Sequence, residues 1–196
     1  LNKKSFEQPL ALLSTGDGQQ YVSSRASSPR FWGDASYVGE NEVYGITVNV
    51  MAAGEHLVHP DEDKEKARKL AKAEKAKAKK DDVKEDKPLS DKARVTVKNA
   101  EGKVVRTFVT KLKQGVNRIV WGLESDGRGR MPGQEPKEDK DILPAGPEVL
   151  PGTYTLHVKL NDHEFETTAT VLKDPRYDVS MEDMKMRYEM EHEAVG

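Results

Sequence analysis

Ala93-Arg94-Val95-Thr96-Val97-Lys98-Asn99-Ala100-Glu101-Gly102-Lys103-Val104-Val105-Arg106-Thr107-Phe108-Val109 is the stretch on which the fold turns. Ala93, Val95 and Val97 alternate with Arg94, Thr96 and Lys98. Successive side chains of a strand point to opposite faces, so this alternation makes one apolar and one polar face. Residues 99–102 bring turn chemistry in Asn99 and Gly102, and Val104, Val105, Thr107, Phe108 and Val109 continue as a partner strand. The stretch is a β-hairpin.

Working outward, the same pattern recurs. Tyr44, Ile46, Val48 and Val50 alternate with Gly45, Thr47 and Asn49, and Gly54 lies past their end, so this reads as the first strand of the domain. Gln114 and Gly115 turn the chain into Val116, Ile119, Val120, Trp121 and Leu123, with Trp121 the large core residue. Residues 153–160 and 164–172 make a second hairpin about Asn161, Asp162 and His163. Six strands, no βαβ alternation and turns rich in Gly, Asn and Asp predict an all-β, immunoglobulin/fibronectin-III-like antiparallel β-sandwich. Its expected core is Tyr44, Ile46, Val48, Val95, Val97, Val105, Ile119, Trp121, Tyr154, Leu156, Val158 and Val171.

Three segments depart from this pattern. Residues 1–38 follow neither a period of two nor one of 3.6 and read as an irregular lead-in to a sandwich formed by 39–60 and 88–179. Residues 61–87 are Lys, Ala and Glu with hardly a large apolar side chain, a helical insertion with Asp61, Glu62 and Asp63 at its N-terminus. Glu62/Lys66 and Glu65/Lys69 are spaced for i, i+4 pairing. With no apolar stripe, this helix is expected to stand in solvent with nothing to pack against. Residues 180–196 form a helical tail, with Ser180 as N-cap and Asp183 at the capping-box position. Residues 124–151, rich in Gly, Pro and charge, read as one long irregular loop and the place for a partner to bind.

Of 196 residues, 32 are Lys or Arg and 34 are Asp or Glu, a net charge of −2 that sets up no field to attract nucleic acid. Cys is absent, which excludes disulfides and thiolate chemistry. No apolar run approaches the roughly 20 residues that span a bilayer, and a chain opening on Leu1 without a signal peptide reads as a piece of something larger. His56, His59, Asp61 and Asp63 resemble a loose metal cluster, but their placement between a strand end and a capped helix reads as solvation. Asp126, Gly127, Arg128, Gly129 and Arg130 lack the oxygen-ligand spacing of a calcium loop. The abundant carboxylates sit in the insertion and the loop rather than in a cleft, so no catalytic pair, metal site or cofactor is assigned. Lysines in 64–80 are interrupted by acidic residues and lack aromatic stacking platforms, against nucleic acid. Phe31, Trp32 and Tyr37, with Asp126, Arg128 and Arg130 of the loop, are the candidate contacts for a protein partner or a glycan.

GENEVYGITVNV at 39–50, VTVKNAEGKVVRTF at 95–108, GVNRIVWGL at 115–123, LPGTYTLHV at 150–158 and KDPR at 173–176 together resemble the C-terminal region of bacterial BNR-repeat, sortilin-like β-propeller proteins. Those proteins often carry a glycosyl hydrolase label. The resemblance implies a flagellar hook-capping-type immunoglobulin-like domain followed by a helical tail. It also implies an extracytoplasmic location, at the periplasm or cell surface, and an upstream propeller domain as partner. The family reads GENPPYG and WDL where this chain has 39–45 and Trp121-Gly122-Leu123, and it lacks the 61–87 insertion. No Ser-x-Asp-x-Gly-x-x-Trp repeat occurs here. The function expected is a non-catalytic structural or interaction module of a larger extracytoplasmic protein, with a carbohydrate-binding accessory module as the rival.

Overall fold

The computed structural model describes residues 8–21, 42–78, 89–127 and 142–194. Among them the chain runs β1 (Leu10–Thr15), β2 (Gly18–Gln19), β3 (Ile46–Ala52), α1 (Glu62–Ala78), β4 (Lys92–Lys98), β5 (Val104–Lys111), β6 (Gly115–Trp121), β7 (Glu124–Asp126), β8 (Ala145–Glu148), β9 (Gly152–Leu160), β10 (His163–Leu172) and α2 (Met181–Ala194). The hairpin of 93–109 forms as its alternation predicts, with Val95 opposite Phe108 and Thr96 opposite Thr107. Asn99 closes its turn: its Oδ1 accepts from the backbone N–H of Glu101 at 3.1 Å and of Lys103 at 2.9 Å.

The strands make a three-stranded sheet in the order β1-β3-β6, a five-stranded sheet in the order β2-β10-β9-β4-β5, and a separate β7-β8 ribbon. Every pair is antiparallel except β2 beside β10, which is parallel, so the expected all-antiparallel pairing is amended at one edge. From β3 onward the chain crosses between these two sheets from β3 to β4, from β5 to β6 and, by way of the ribbon, from β6 to β9. Ile46, Val48 and Val50 on one sheet and Val95, Val97, Leu156 and Val158 on the other are fully buried in a single apolar cluster. The inner faces of both sheets therefore share one core, each such side chain contributing roughly 1.5–3 kcal/mol of burial. Ile119, Trp121, Tyr154 and Val171 are buried with them, while Tyr44 and Val105 pack against the cluster half-buried.

Residues 8–21 correct the expectation of an irregular lead-in. β1 is a strand paired with β3, so Tyr44 does not open the sandwich. Its register shifts between Leu12 and Ser14, and this bulge breaks the period of two that would have betrayed it. Residues 124–151 are likewise not irregular throughout: β7 and β8 pair with Glu124 opposite Glu148 and Asp126 opposite Ala145. Pro147 is tolerated because the ribbon has free edges.

The insertion helix α1 is capped by Asp61, whose Oδ1 accepts from the amides of Asp63 at 3.0 Å and Lys64 at 3.2 Å. The Lys64 amide, with that of Asp63, holds the Asp61 carboxyl below its ordinary range. Leu70 is exposed, in keeping with a helix that has no apolar stripe. The first two turns nevertheless contradict the expectation that the helix packs against nothing. Glu65 is buried and accepts from the His59 amide at 3.0 Å, and Arg68 Nη1 donates to the Leu57 carbonyl at 2.9 Å. A second donation runs from Arg68 Nη2 to the carbonyl of Glu55. Polar contacts with backbone, not apolar area, hold the helix root. Lys69 pairs with Glu65 at 3.9 Å as its spacing predicts, and Lys66 pairs with Asp63 at 3.6 Å.

Candidate functional site

One pole of the domain gathers aromatic and carboxylate side chains. It forms where β2 and β6 end and where β3 and β9 begin: alternation carries Trp121 and Tyr154 inward and leaves Tyr44 half-buried, while Tyr21, next to the buried Gln20, is exposed. Trp121 and Tyr154 meet edge to face, their ring centroids 5.2 Å apart, and Trp121 Nε1 donates to the Glu124 carbonyl at 2.9 Å. Tyr154 donates to the Leu150 carbonyl at 2.7 Å, and burial, with Tyr188 adding, pushes its phenol up to about 12. Nearer the surface Tyr21 and Tyr44 cross at 89° with centroids 4.9 Å apart, and the Tyr44 hydroxyl donates to Glu148 Oε1.

The tail helix α2 closes over this pole. Ser180 caps it, accepting from the Asp183 amide at 3.1 Å and donating to Asp183 Oδ2 at 2.6 Å. The turn before it is fixed by Asp174, whose carboxylate takes two side-chain donations from Arg176, at 3.0 and 2.9 Å. Met184, Arg187, Tyr188 and Glu191 of α2 then lie over Gln20, Glu148, Val149 and Leu150. Between them runs a shallow, half-open groove. The Gln20 amide donates to the Val149 carbonyl at 2.6 Å, which ties β2 to the end of the β7-β8 ribbon.

Ser125 and His192 face each other at 3.3 Å as a nucleophile faces its base. The Ser125 hydroxyl, however, donates to the Pro147 carbonyl at 2.8 Å and is 2% exposed. His192 Nδ1 donates to the Tyr188 carbonyl at 2.9 Å. A nucleophile must reach its substrate; this serine instead fastens the ribbon beneath the helix. The two carboxylates of the groove, Glu148 and Glu191, do not frame an open cleft either, since Arg187 Nε pairs with Glu191 Oε1 at 3.0 Å.

Of the predicted contacts, Asp126 alone lies within the described residues; Phe31, Trp32, Tyr37, Arg128 and Arg130 lie outside them. Asp126 Oδ1 accepts from Arg106 Nη1 at 2.8 Å and from the Thr107 amide at 3.1 Å. Arg106 Nη1 also reaches the carbonyls of Leu143 and Pro144, each at 2.9 Å. The carboxylate is thus engaged in clamping the ribbon to the β5 edge. No local spacing marks Tyr21, Glu148, Tyr188 and Glu191: Tyr44 links Tyr21 to Glu148 within the β scaffold, and Tyr188 and Glu191 meet Glu148 only when α2 folds back. The one sign of it in the sequence is that Met184 and Tyr188 stand at i, i+4 on one face of the tail helix.

The roots of the segments that carry the other predicted contacts come together here. The Tyr21–Tyr44 ring contact brings the two ends of 22–41 side by side, and Gly127 N–H donating to the Pro144 carbonyl at 2.8 Å does the same for 128–141. Strand β8 joins them, with Glu148 at one end bonded to Tyr44 and Ala145 at the other paired with Asp126.

His59 and Asp61 meet as a local turn, the Asp61 amide donating to His59 Nδ1 at 3.0 Å, while His56 Nε2 lies 3.3 Å from Asn161 Nδ2. Among the described residues no group of three or more His, Cys, Asp or Glu is placed to hold a metal ion. No helix among them is long and apolar enough to cross a membrane. No protein-family model, curated protein or solved structure matches the chain.

Proposed function

We propose that this chain is an immunoglobulin-like interaction module that binds a protein partner at the pole beneath α2 and performs no catalysis of its own. The observation that carries the proposal is the convergence of the roots of 22–41 and 128–141 on the two ends of β8. A β scaffold that brings the points of departure of two connections onto one strand is suited to recognising a partner, because loops carried on a rigid scaffold commonly do so. Strand order supports the immunoglobulin-like assignment: β1-β3-β6 opposite β10-β9-β4-β5 repeats the sheet-to-sheet crossing of such sandwiches. So does Tyr154, which lies near the start of β9 and donates four residues back to Leu150, in the manner of a tyrosine corner.

The partner that fits the sequence resemblance is a propeller domain of an extracytoplasmic protein, at the periplasm or cell surface. The rival reading, a carbohydrate-binding accessory module, draws on the crossed Tyr21 and Tyr44 rings at the root of the segment that carries Phe31, Trp32 and Tyr37. A glycan array and a panel of glycoside substrates, both with the isolated chain, separate the readings. The interaction module gives neither saturable glycan binding nor hydrolysis. Saturable binding that Trp32→Ala abolishes overturns it in favour of the rival, and turnover of a glycoside overturns both.

A further inference from the structure

The groove beneath α2 places more negative than positive charge in a half-buried setting. Glu148 projects from β8 toward α2 and is faced there by Arg187, Tyr188 and Glu191. Across the ribbon it stands opposite Glu124, and from the start of β3 the Tyr44 hydroxyl donates to it. Arg187 is the one cation among these groups, and its Nε is already committed to Glu191. One guanidinium therefore serves two carboxylates that α2 docking brings together. Gln20, the remaining polar side chain of the groove, is neutral and is spent on the Val149 carbonyl.

We propose that docking of α2 on the β8 strand is coupled to protonation of Glu148, so that the tail helix is a proton-sensitive strap over the partner-binding pole. Burial raises the Glu148 carboxyl above its ordinary 4.5; Arg187 opposes this and Glu191 adds to it. A group whose pKa is higher in the docked than in the undocked form takes up a proton on docking. The associated gain is fully present below the ordinary value and is lost as the pH rises through the raised one. The strap thus tightens as the pH falls through the raised value toward 4.5 and loosens on return. Tyr44 can donate to the carbonyl oxygen of the acid as well as to the carboxylate, so its bond survives the change.

His192 of α2 also touches Ser125, and variants at Glu148 and at His192 separate the two contributions. Hydrogen exchange of the α2 amides in the whole chain, expressed as protection factors so that intrinsic pH effects cancel, is followed from neutral pH down to 4.5. The proposal expects protection to rise through this range in the native chain and in His192→Gln. It expects Glu148→Gln to be protected at neutral pH as the native chain is at low pH, with its pH dependence lost. Glu191→Gln, a change at the surface of the helix, should flatten the profile by removing the carboxylate that Glu148 opposes. Protection that is flat in the native chain, or a slope that persists in Glu148→Gln and vanishes in His192→Gln, overturns the proposal.

Discussion

The Tyr154 hydroxyl donates to the carbonyl oxygen of Leu150 across 2.7 Å, locking the corner at which the chain leaves the β7-β8 ribbon and enters β9. Tyr154→Phe keeps the ring against Trp121 and removes only this bond. A hydrogen bond of this kind contributes about 1 kcal/mol net. In a chain of this size that corresponds to a fall of about 2–4 °C in melting temperature. An unchanged midpoint would show that the corner adds nothing to stability.

Trp121→Ala should be far more damaging. The indole is 1% exposed, packs on Tyr154 and donates to Glu124, so its removal leaves a cavity and an unmatched carbonyl. A loss of about 3–5 kcal/mol is expected in a denaturant titration. Val116, on the same strand but 68% exposed, provides the comparison: Val116→Ala should stay within about 0.5 kcal/mol of the native chain.

Gly45 precedes β3 with φ of 113°, and a Cβ there would stand 2.1 Å from the Trp121 carbonyl oxygen. Both the backbone conformation and the space exclude a side chain. Gly45→Ala is expected to cost at least about 2 kcal/mol. Equal stability of the two proteins would mean that the β3-β6 ends lie further apart.

Glu65 and Arg68 divide the insertion into a root and an arm. Replacing 72–87 with a short Gly/Ser linker should leave the melting temperature nearly unchanged, because loop entropy grows slowly with length. Removing 61–87 entirely also deletes the bonds to His59, Leu57 and Glu55, and should lower it measurably. Equal effects from the two deletions would contradict the division.

What the sequence made legible was whatever alternates without interruption. β3, β4, β9 and β10 were read from their period of two, β5 as the partner strand that follows the turn at 99–102, and the capped tail from Ser180 and Asp183. What escaped is short or broken. The bulge between Leu12 and Ser14 hides β1, β2 is two residues long, and β7 and β8 lie within a run of Gly and Pro. Leu57 is fully buried yet belongs to no periodic run, and Leu123, read as the last inward residue of the strand, is buried but takes φ of 64° beyond Trp121, where β6 ends. The pole was illegible for a different reason. Tyr21, Tyr44, Glu148 and Tyr188 are scattered along the chain, and no local spacing announces a meeting that depends on sheet order and on the return of α2.

The pole as a contact surface can be tested with a photoreactive amino acid placed either at Tyr21, 38% exposed at the root of 22–41, or at Thr168, exposed on the outer face of β10. Irradiation is carried out in the cells that make the protein, and the adducts are sequenced. The proposed interaction module predicts that Tyr21 captures one defined protein or a neighbouring domain of the same polypeptide, and that Thr168 does not. Adducts from Thr168 as abundant as those from Tyr21, or none from Tyr21 beyond residues of this chain, would contradict it.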